Sequence, residues 1–153
     1  MSGNGQARPA WGYGVEGKPS AMLQAALRTL RRNGSQPREL PECNGHACDW
    51  VRRVAECLRS GTCEVAVLFC GDAGLACCVA NKVPGVRAAA VWTIAQANRA
   101  LDQLGANLLV VEADGRTFYE CKELLRLCCD RAPACCPPGV ACVLQELDGH
   151  AHR

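Results

Sequence analysis

Apolar residues along the chain fall into short continuous runs and into helical periodicities, and the two alternate. The run Val65–Phe69 is apolar at every position, which is typical of a central strand that is buried on both faces. Weaker apolar runs predict further strands at 11–15, 87–91 and 107–111, and 36–40 is a candidate for a short strand between α-helical segments. The segments between them predict helices at 21–32, 48–58, 75–81, 93–104 and 115–130.

This alternation predicts an α/β protein with a three-layer α/β/α, Rossmann-like architecture and a parallel sheet of about five strands. The α/β domain is expected at 11–131, after a flexible tail at 1–10. Residues 132–153 are interpreted as a Cys/Pro-rich insertion followed by a C-terminal arm. Within that arm, residues 140–147 predict either a short helix or an extended segment.

The composition narrows the class of protein. The chain has 153 residues, 49% of them hydrophobic, and a formal net charge of +2 with acids and bases interspersed. Such a chain can bury one core, and it carries neither a basic run typical of a nucleic-acid surface nor an uncharged stretch of transmembrane length. The N-terminus lacks a secretory apolar core. We therefore expect a cytoplasmic protein that binds neither nucleic acid nor membrane.

Cysteine is unusually frequent, with thirteen residues that include three adjacent pairs. An odd number argues against a complete disulfide framework, so most of the cysteines are expected to be buried as small apolar side chains. Cys43, His46 and Cys48 could together bind zinc, but their spacing is irregular for a structural site. A loop without metal is the favoured interpretation.

The central strand ends in a loop of small residues, Cys70–Gly74, which opens the next helix. Ligands of open parallel sheets bind where strands end, and a loop that begins a helix offers free N–H groups to an anion. A thiol near a helix N-terminus has a lowered pKa, so Cys70 is expected to be available as a thiolate. Asp72 is either a pocket carboxylate or the N-cap of the helix, and we favour the cap.

The residues around this loop resemble a known family. Cys70–Gly71 and Gly74, followed by the run ANKVPGVRAA at 80–89, are similar to the signature of type B ribose-5-phosphate isomerases, which include the galactose-6-phosphate isomerase subunits. The resemblance extends over about 11–131. It implies the same α/β/α fold, a sugar phosphate as ligand and no cofactor. It also implies assembly as a homo-oligomer (dimer or tetramer) or as a hetero-oligomer with a paralogue.

The resemblance further implies roles for individual residues. Cys70 matches the cysteine that takes the proton from the sugar carbon. The residues that match substrate-binding positions are Gly71, Asp72, Gly74, Asn81, Lys82, Asn107 and Arg153. For Asn81, Lys82 and Asn107, a structural role in turning the chain or satisfying backbone groups is an equal alternative.

Several family positions carry different residues in this chain. The Asp–His pair that ends the family's first strand aligns with Gly17 and Lys18, so both the acid and the imidazole are expected to be absent. Trp92 stands in place of the ring-opening histidine, and an indole N–H donates a hydrogen bond but cannot shuttle protons. Gly105 stands where the family has an aspartate.

Two functional hypotheses result. The first is an aldose–ketose isomerase of the ribose 5-phosphate/ribulose 5-phosphate type, intact or impaired, with Cys70 as carbon base. The second is a catalytically inactive family member that serves as a ligand-binding or structural subunit of an assembly.

Overall fold

The structure, a computed structural model, describes residues 8–150, so Arg153 and most of the predicted tail at 1–10 lie outside the described residues. The strands are β1 (Trp11–Val15), β2 (Val65–Cys70), β3 (Ala88–Ala90) and β4 (Leu108–Glu112). The helices are α1 (Ala21–Arg32), α2 (Ala47–Arg59), α3 (Ala73–Ala80), α4 (Ile94–Arg99), α5 (Phe118–Asp130) and α6 (Pro138–His150). Helix α4 continues into a π-helical stretch, Ala100–Leu104.

Polar side chains placed just before the helices determine where they begin. Ser20, Asp72 and Thr93 each accept a hydrogen bond from the backbone N–H three residues later, which has no partner within the helix. The caps predicted at Ser20 and Asp72 are thus confirmed. Helix α5 begins at Phe118 rather than near residue 115, because Thr117 caps it in the same way.

All four strands are parallel and lie in the order β1-β2-β4-β3. Strand β2 is buried at every position, as its continuous apolar run predicts. One cluster of buried residues joins the sheet to α1, α4 and α5, and a second joins the opposite face to α2 and α3. The predicted three-layer α/β/α architecture is therefore confirmed.

The sheet has four strands instead of about five, because the predicted strand at 36–40 does not form. That segment makes a single bridge between Arg38 and Gly12, in which the Arg38 N–H donates to the carbonyl of Trp11 at 2.6 Å. Pro37 has no N–H to continue the ladder, and the residues at 38 and 39 are exposed. The segment therefore lies along the edge strand β1 without becoming a strand itself.

The segment after α5 explains one departure from the family. Gly105 has a left-handed backbone, with φ of +67°, and a Cβ atom there would lie 2.5 Å from the carbonyl oxygen of Ala134. An aspartate side chain would collide with this segment, so the close approach requires glycine. Farther on, α6 buries none of its residues, but its Asp148 carboxylate accepts a hydrogen bond from Gly85 N–H at 2.9 Å.

The cysteines differ from expectation. All thirteen are free and only five are buried, whereas the other eight are partly or fully exposed, so the prediction that most are buried is wrong. In α3 adjacent residues point about 100° apart, and Cys78 turns towards solvent while Cys77 is half-buried, whereas both Cys128 and Cys129 of α5 are buried. Within residues 8–150, no helix is long and apolar enough to cross a membrane.

Candidate functional site

Parallel pairing aligns three residues in one row where the strands end. Cys70 pairs with Glu112, and Val15 pairs with Phe69. Continuing the β1–β2 register places Glu16 beside Cys70, while Trp92 lies two residues after the end of β3. Because side chains at the same level of adjacent strands share a face, this row turns towards α2 and α3. Two carboxylates therefore flank the thiol.

The Cys70 thiol is neutral at physiological pH. Its side chain is 2% exposed, and its sulfur lies 3.6 Å from the carbonyl oxygen of Val111, to which it donates. Burial, followed by the negative charge of Glu16, raises the pKa of Cys70 to about 12, although a hydrogen bond from the Asp72 backbone acts in the opposite direction. The expected thiolate is thus wrong, because burial and the nearby carboxylates outweigh the α3 N-terminus.

A cavity of about 160 Å³ lies beside Cys70 between α2 and α3. Its apolar walls are Ala47, Val51, Leu75, Ala76 and Val79, and its polar rim is formed by Glu16, Cys48, Cys70, Gly71 and Asp72. Pockets that enclose whole small ligands usually measure roughly 300–1,000 Å³. The cavity can therefore admit the reacting end of a sugar but not a complete sugar phosphate.

Glu16 is a functional candidate that the sequence alignment missed. Its N–H bonds to the carbonyl of Phe69 at 2.9 Å, so it extends β1 by one position. Its Oε2 accepts a hydrogen bond from Gly71 N–H at 2.9 Å. The expectation that no acid stands at the end of the first strand is therefore wrong, because Glu16, and not Gly17 or Lys18, is the residue directly after β1.

The loop after β2 uses its own carboxylate to begin α3. Asp72 Oδ1 accepts the Leu75 N–H at 2.9 Å, which supports the interpretation of Asp72 as an N-cap. Gly74 lies in the first turn of α3. The Gly71 amide, which was expected to receive substrate oxygen, is bonded to Glu16 in this structure.

Three other predicted site residues, Asn81, Lys82 and Asn107, lie at the opposite edge of the sheet. Asn81 and Lys82 precede β3 and Asn107 precedes β4, whereas Cys70 is at the carboxyl end of β2. The four steps of β4 alone span about 13 Å. The structure therefore does not bring these residues to the thiol.

Both asparagines are engaged with the backbone. The Asn81 side chain accepts from Ala88 N–H at 2.7 Å and donates to the Ala88 carbonyl at 3.0 Å. The Asn107 side chain accepts from Arg87 N–H at 2.7 Å and donates to the Gly85 carbonyl at 3.0 Å. These contacts favour a structural role for both asparagines over a role in binding substrate.

Trp92 leaves the edge of the site open to solvent. Its side chain is 48% exposed, and its backbone N–H donates to Gln96 Oε1 at 2.8 Å. The neighbouring Arg116 donates to the Trp92 carbonyl at 3.2 Å and pairs with Glu120 at 2.9 Å. Arg116 is thus a cation at this edge that the sequence analysis did not single out.

The zinc alternative finds no support in the geometry. His46 is the N-cap of α2, with its Nδ1 accepting from Cys48 N–H at 3.2 Å. Among residues 8–150, no three His, Cys, Asp or Glu side chains come together in a way that could hold a metal ion.

The parallel sheet with helices on both faces places the protein among the open α/β proteins, whose ligands bind outside the carboxyl ends of the strands. The model of the Ribose/Galactose Isomerase family matches residues 25–127. The chain belongs to this family. No curated protein matches the sequence significantly.

Solved structures show the same fold. The type B ribose 5-phosphate isomerase of Leishmania infantum superposes with a TM-score of 0.74 at 14% identity, covering 95% of this chain and 98% of that one. The Trypanosoma cruzi enzyme gives 0.71 at 19% identity, covering 96% of this chain and 100% of that one. A ribose 5-phosphate isomerase of Thermotoga maritima gives 0.70 at 15% identity, covering 92% and 98%. At these identities the likeness establishes the fold.

Proposed function

We propose that the protein is an aldose–ketose isomerase of phosphorylated sugars, of the ribose 5-phosphate type, with slow turnover. Membership of the Ribose/Galactose Isomerase family supports this reaction class. The observation that carries the proposal is the cavity at the end of β2, into which the Cys70 thiol and the Glu16 carboxylate both open. Isomerisation moves a proton between two adjacent carbons, and acid–base groups on one small cavity are what that step requires.

Slow turnover is proposed because the ring-opening group is missing. Trp92 stands where the family has its ring-opening histidine, and loss of one general acid–base group costs about 10²–10⁴ in rate. The chain would therefore act well below the rate of an enzyme that keeps this group.

The second candidate is a catalytically inactive family member, acting as a ligand-binding or structural subunit in a homo-oligomer or beside a paralogue. The bond between Gly71 N–H and Glu16 favours it, because that amide is already occupied by an anion of the protein itself. Under either candidate we propose a cytoplasmic protein and a sugar phosphate as ligand, with no cofactor.

Turnover distinguishes the two candidates. Ribose 5-phosphate is incubated with the protein, and ribulose 5-phosphate is measured by a coupled assay. A Glu16→Gln/Cys70→Ala double variant, purified identically, is the control for contaminating host isomerase. Product formed by the natural sequence and not by the double variant supports the isomerase. A sugar phosphate that raises the melting temperature but gives no product supports the inactive subunit. If the sugar phosphate gives no product and does not change the melting temperature, both candidates are contradicted.

A further inference from the structure

We infer that Glu16, rather than Cys70, is the base that takes the proton from the sugar carbon. This inference rests on the proposed isomerase function and assigns its central step to a different side chain. It starts from the row of residues at the carboxyl edge, in which Glu16 and Cys70 occupy adjacent positions on β1 and β2.

The Glu16 side chain is aimed into the same cavity as the thiol. Gly12 and Gly14 of β1 face Leu40, Trp50 and Leu68, which belong to the cluster that also contains Cys70. Side chains alternate along a strand, so Glu16 turns to that same face. It lines the cavity together with Cys70 and Gly71, and it is half-buried, so it remains accessible to a ligand.

Glu16 presents an acceptor to the cavity, whereas Cys70 presents a donor. The Glu16 Oε2 accepts the Gly71 N–H at 2.9 Å, and the Cys70 thiol donates to the Val111 carbonyl at 3.6 Å. Titratable groups that share the cavity with Glu16 are Cys48 on α2 and Cys70 and Asp72 at the β2–α3 junction, and Cys43 in the loop before α2 is close enough to be affected by its charge. Lys18 lies two residues farther along the same loop, and Glu112 pairs with Cys70 on the far side from Glu16.

The proposed step is balanced without any further reactant. Glu16 accepts the proton from C2 of the open-chain aldose, and the C–H electron pair forms the C1–C2 double bond as the carbonyl pair moves to O1. The neutral Cys70 thiol donates a hydrogen bond to that oxyanion. The O2 proton passes to O1, Glu16 returns its proton to C1, and the C2 carbonyl forms, which gives the ketose.

The test separates proton transfer from ring opening. An aldotetrose 4-phosphate cannot close a five-membered ring, because its O4 carries the phosphate. Its isomerisation therefore needs no ring-opening group, which the Trp92 side chain cannot supply. The protein is incubated with this compound and with ribose 5-phosphate in D₂O, and deuterium at C2 of the aldose and at C1 of the ketose is followed by NMR. Glu16→Gln preserves an acceptor for Gly71 N–H, Cys70→Ser preserves a donor, and thermal melting confirms that each variant is folded.

We expect Glu16→Gln to lower the exchange rate by about 10²-fold or more, and Cys70→Ser to lower it by less than about tenfold. Exchange that survives in Glu16→Gln but is lost in Cys70→Ser overturns the inference while the isomerase proposal stands. Absence of exchange by the natural sequence with both sugars refutes the isomerase proposal, and the inference with it.

Discussion

Replacing Asn107 by alanine tests whether this residue holds the fold or the substrate. The Asn107 side chain is 9% exposed and makes two hydrogen bonds, of 2.7 Å from Arg87 N–H and 3.0 Å to the Gly85 carbonyl. These bonds fasten the turn before β3 to the start of β4. The alanine variant leaves the part-buried Arg87 N–H without its side-chain partner, whereas the carbonyl of the exposed Gly85 also accepts from Arg87 Nη1 at 3.5 Å.

A buried backbone group that loses its partner costs about 1–3 kcal/mol, so loss of the Arg87 N–H partner should lower the free energy of unfolding by about 1–3 kcal/mol. For a chain of this length that corresponds to a fall in melting temperature of about 2–12 °C. Urea unfolding followed by circular dichroism gives the free energy, and calorimetry gives the melting temperature.

Asn44→Ala is the matched control, since Asn44 is exposed, and it should change the free energy of unfolding by less than about 0.5 kcal/mol. Asn107→Asp should fall between the two, because it keeps the acceptor for Arg87 N–H and loses the donor to Gly85. The reasoning is refuted if Asn107→Ala unfolds like the natural sequence but binds ribose 5-phosphate at least tenfold more weakly.

Gly105→Ala should lower the free energy of urea unfolding by about 1–3 kcal/mol, because its φ is +67° and the Ala134 carbonyl blocks a Cβ; an unchanged value would contradict that packing. Asp72→Ala should cost about 1 kcal/mol in the same assay through loss of the α3 cap, whereas Asp72→Asn should cost little. Burial raises the pKa of Cys70 and Cys128 from 9.0 to about 12, so the unfolded chain loses thiol protons first and stability should fall as pH rises from 9 towards 12. Cys128→Ala should flatten that dependence; equal slopes with and without Cys128 would refute the assignment.

Features that depend on neighbouring residues could be predicted from the sequence. The apolar run of β2 and the caps at Ser20 and Asp72 are local, and each is confirmed. The predictions failed where the deciding contact joins residues that are far apart in the sequence. Glu16 meets Gly71 across 55 residues, and only the pairing of β1 with β2 brings them together.

The chemistry of the thiol is a second such case. A cysteine before a helix predicts a lowered pKa, but the Cys70 pKa is decided by burial and by carboxylates on other strands. The short strand expected at 36–40 does not form, because a strand requires a ladder of partners and Pro37 has no N–H to continue it. The family signature therefore identifies the scaffold, while the charge balance of the site becomes visible only in the folded chain.

The central claim is that a sugar phosphate binds at the carboxyl end of β2. Backbone amide shifts of ¹⁵N-labelled protein, recorded during titration with ribose 5-phosphate, test it most directly. The account predicts that the largest shifts fall on Gly71–Gly74 and on Glu16, and that they saturate together. Shifts confined to the cleft beside Arg31 and Arg38, or no shifts at millimolar sugar phosphate, would contradict it.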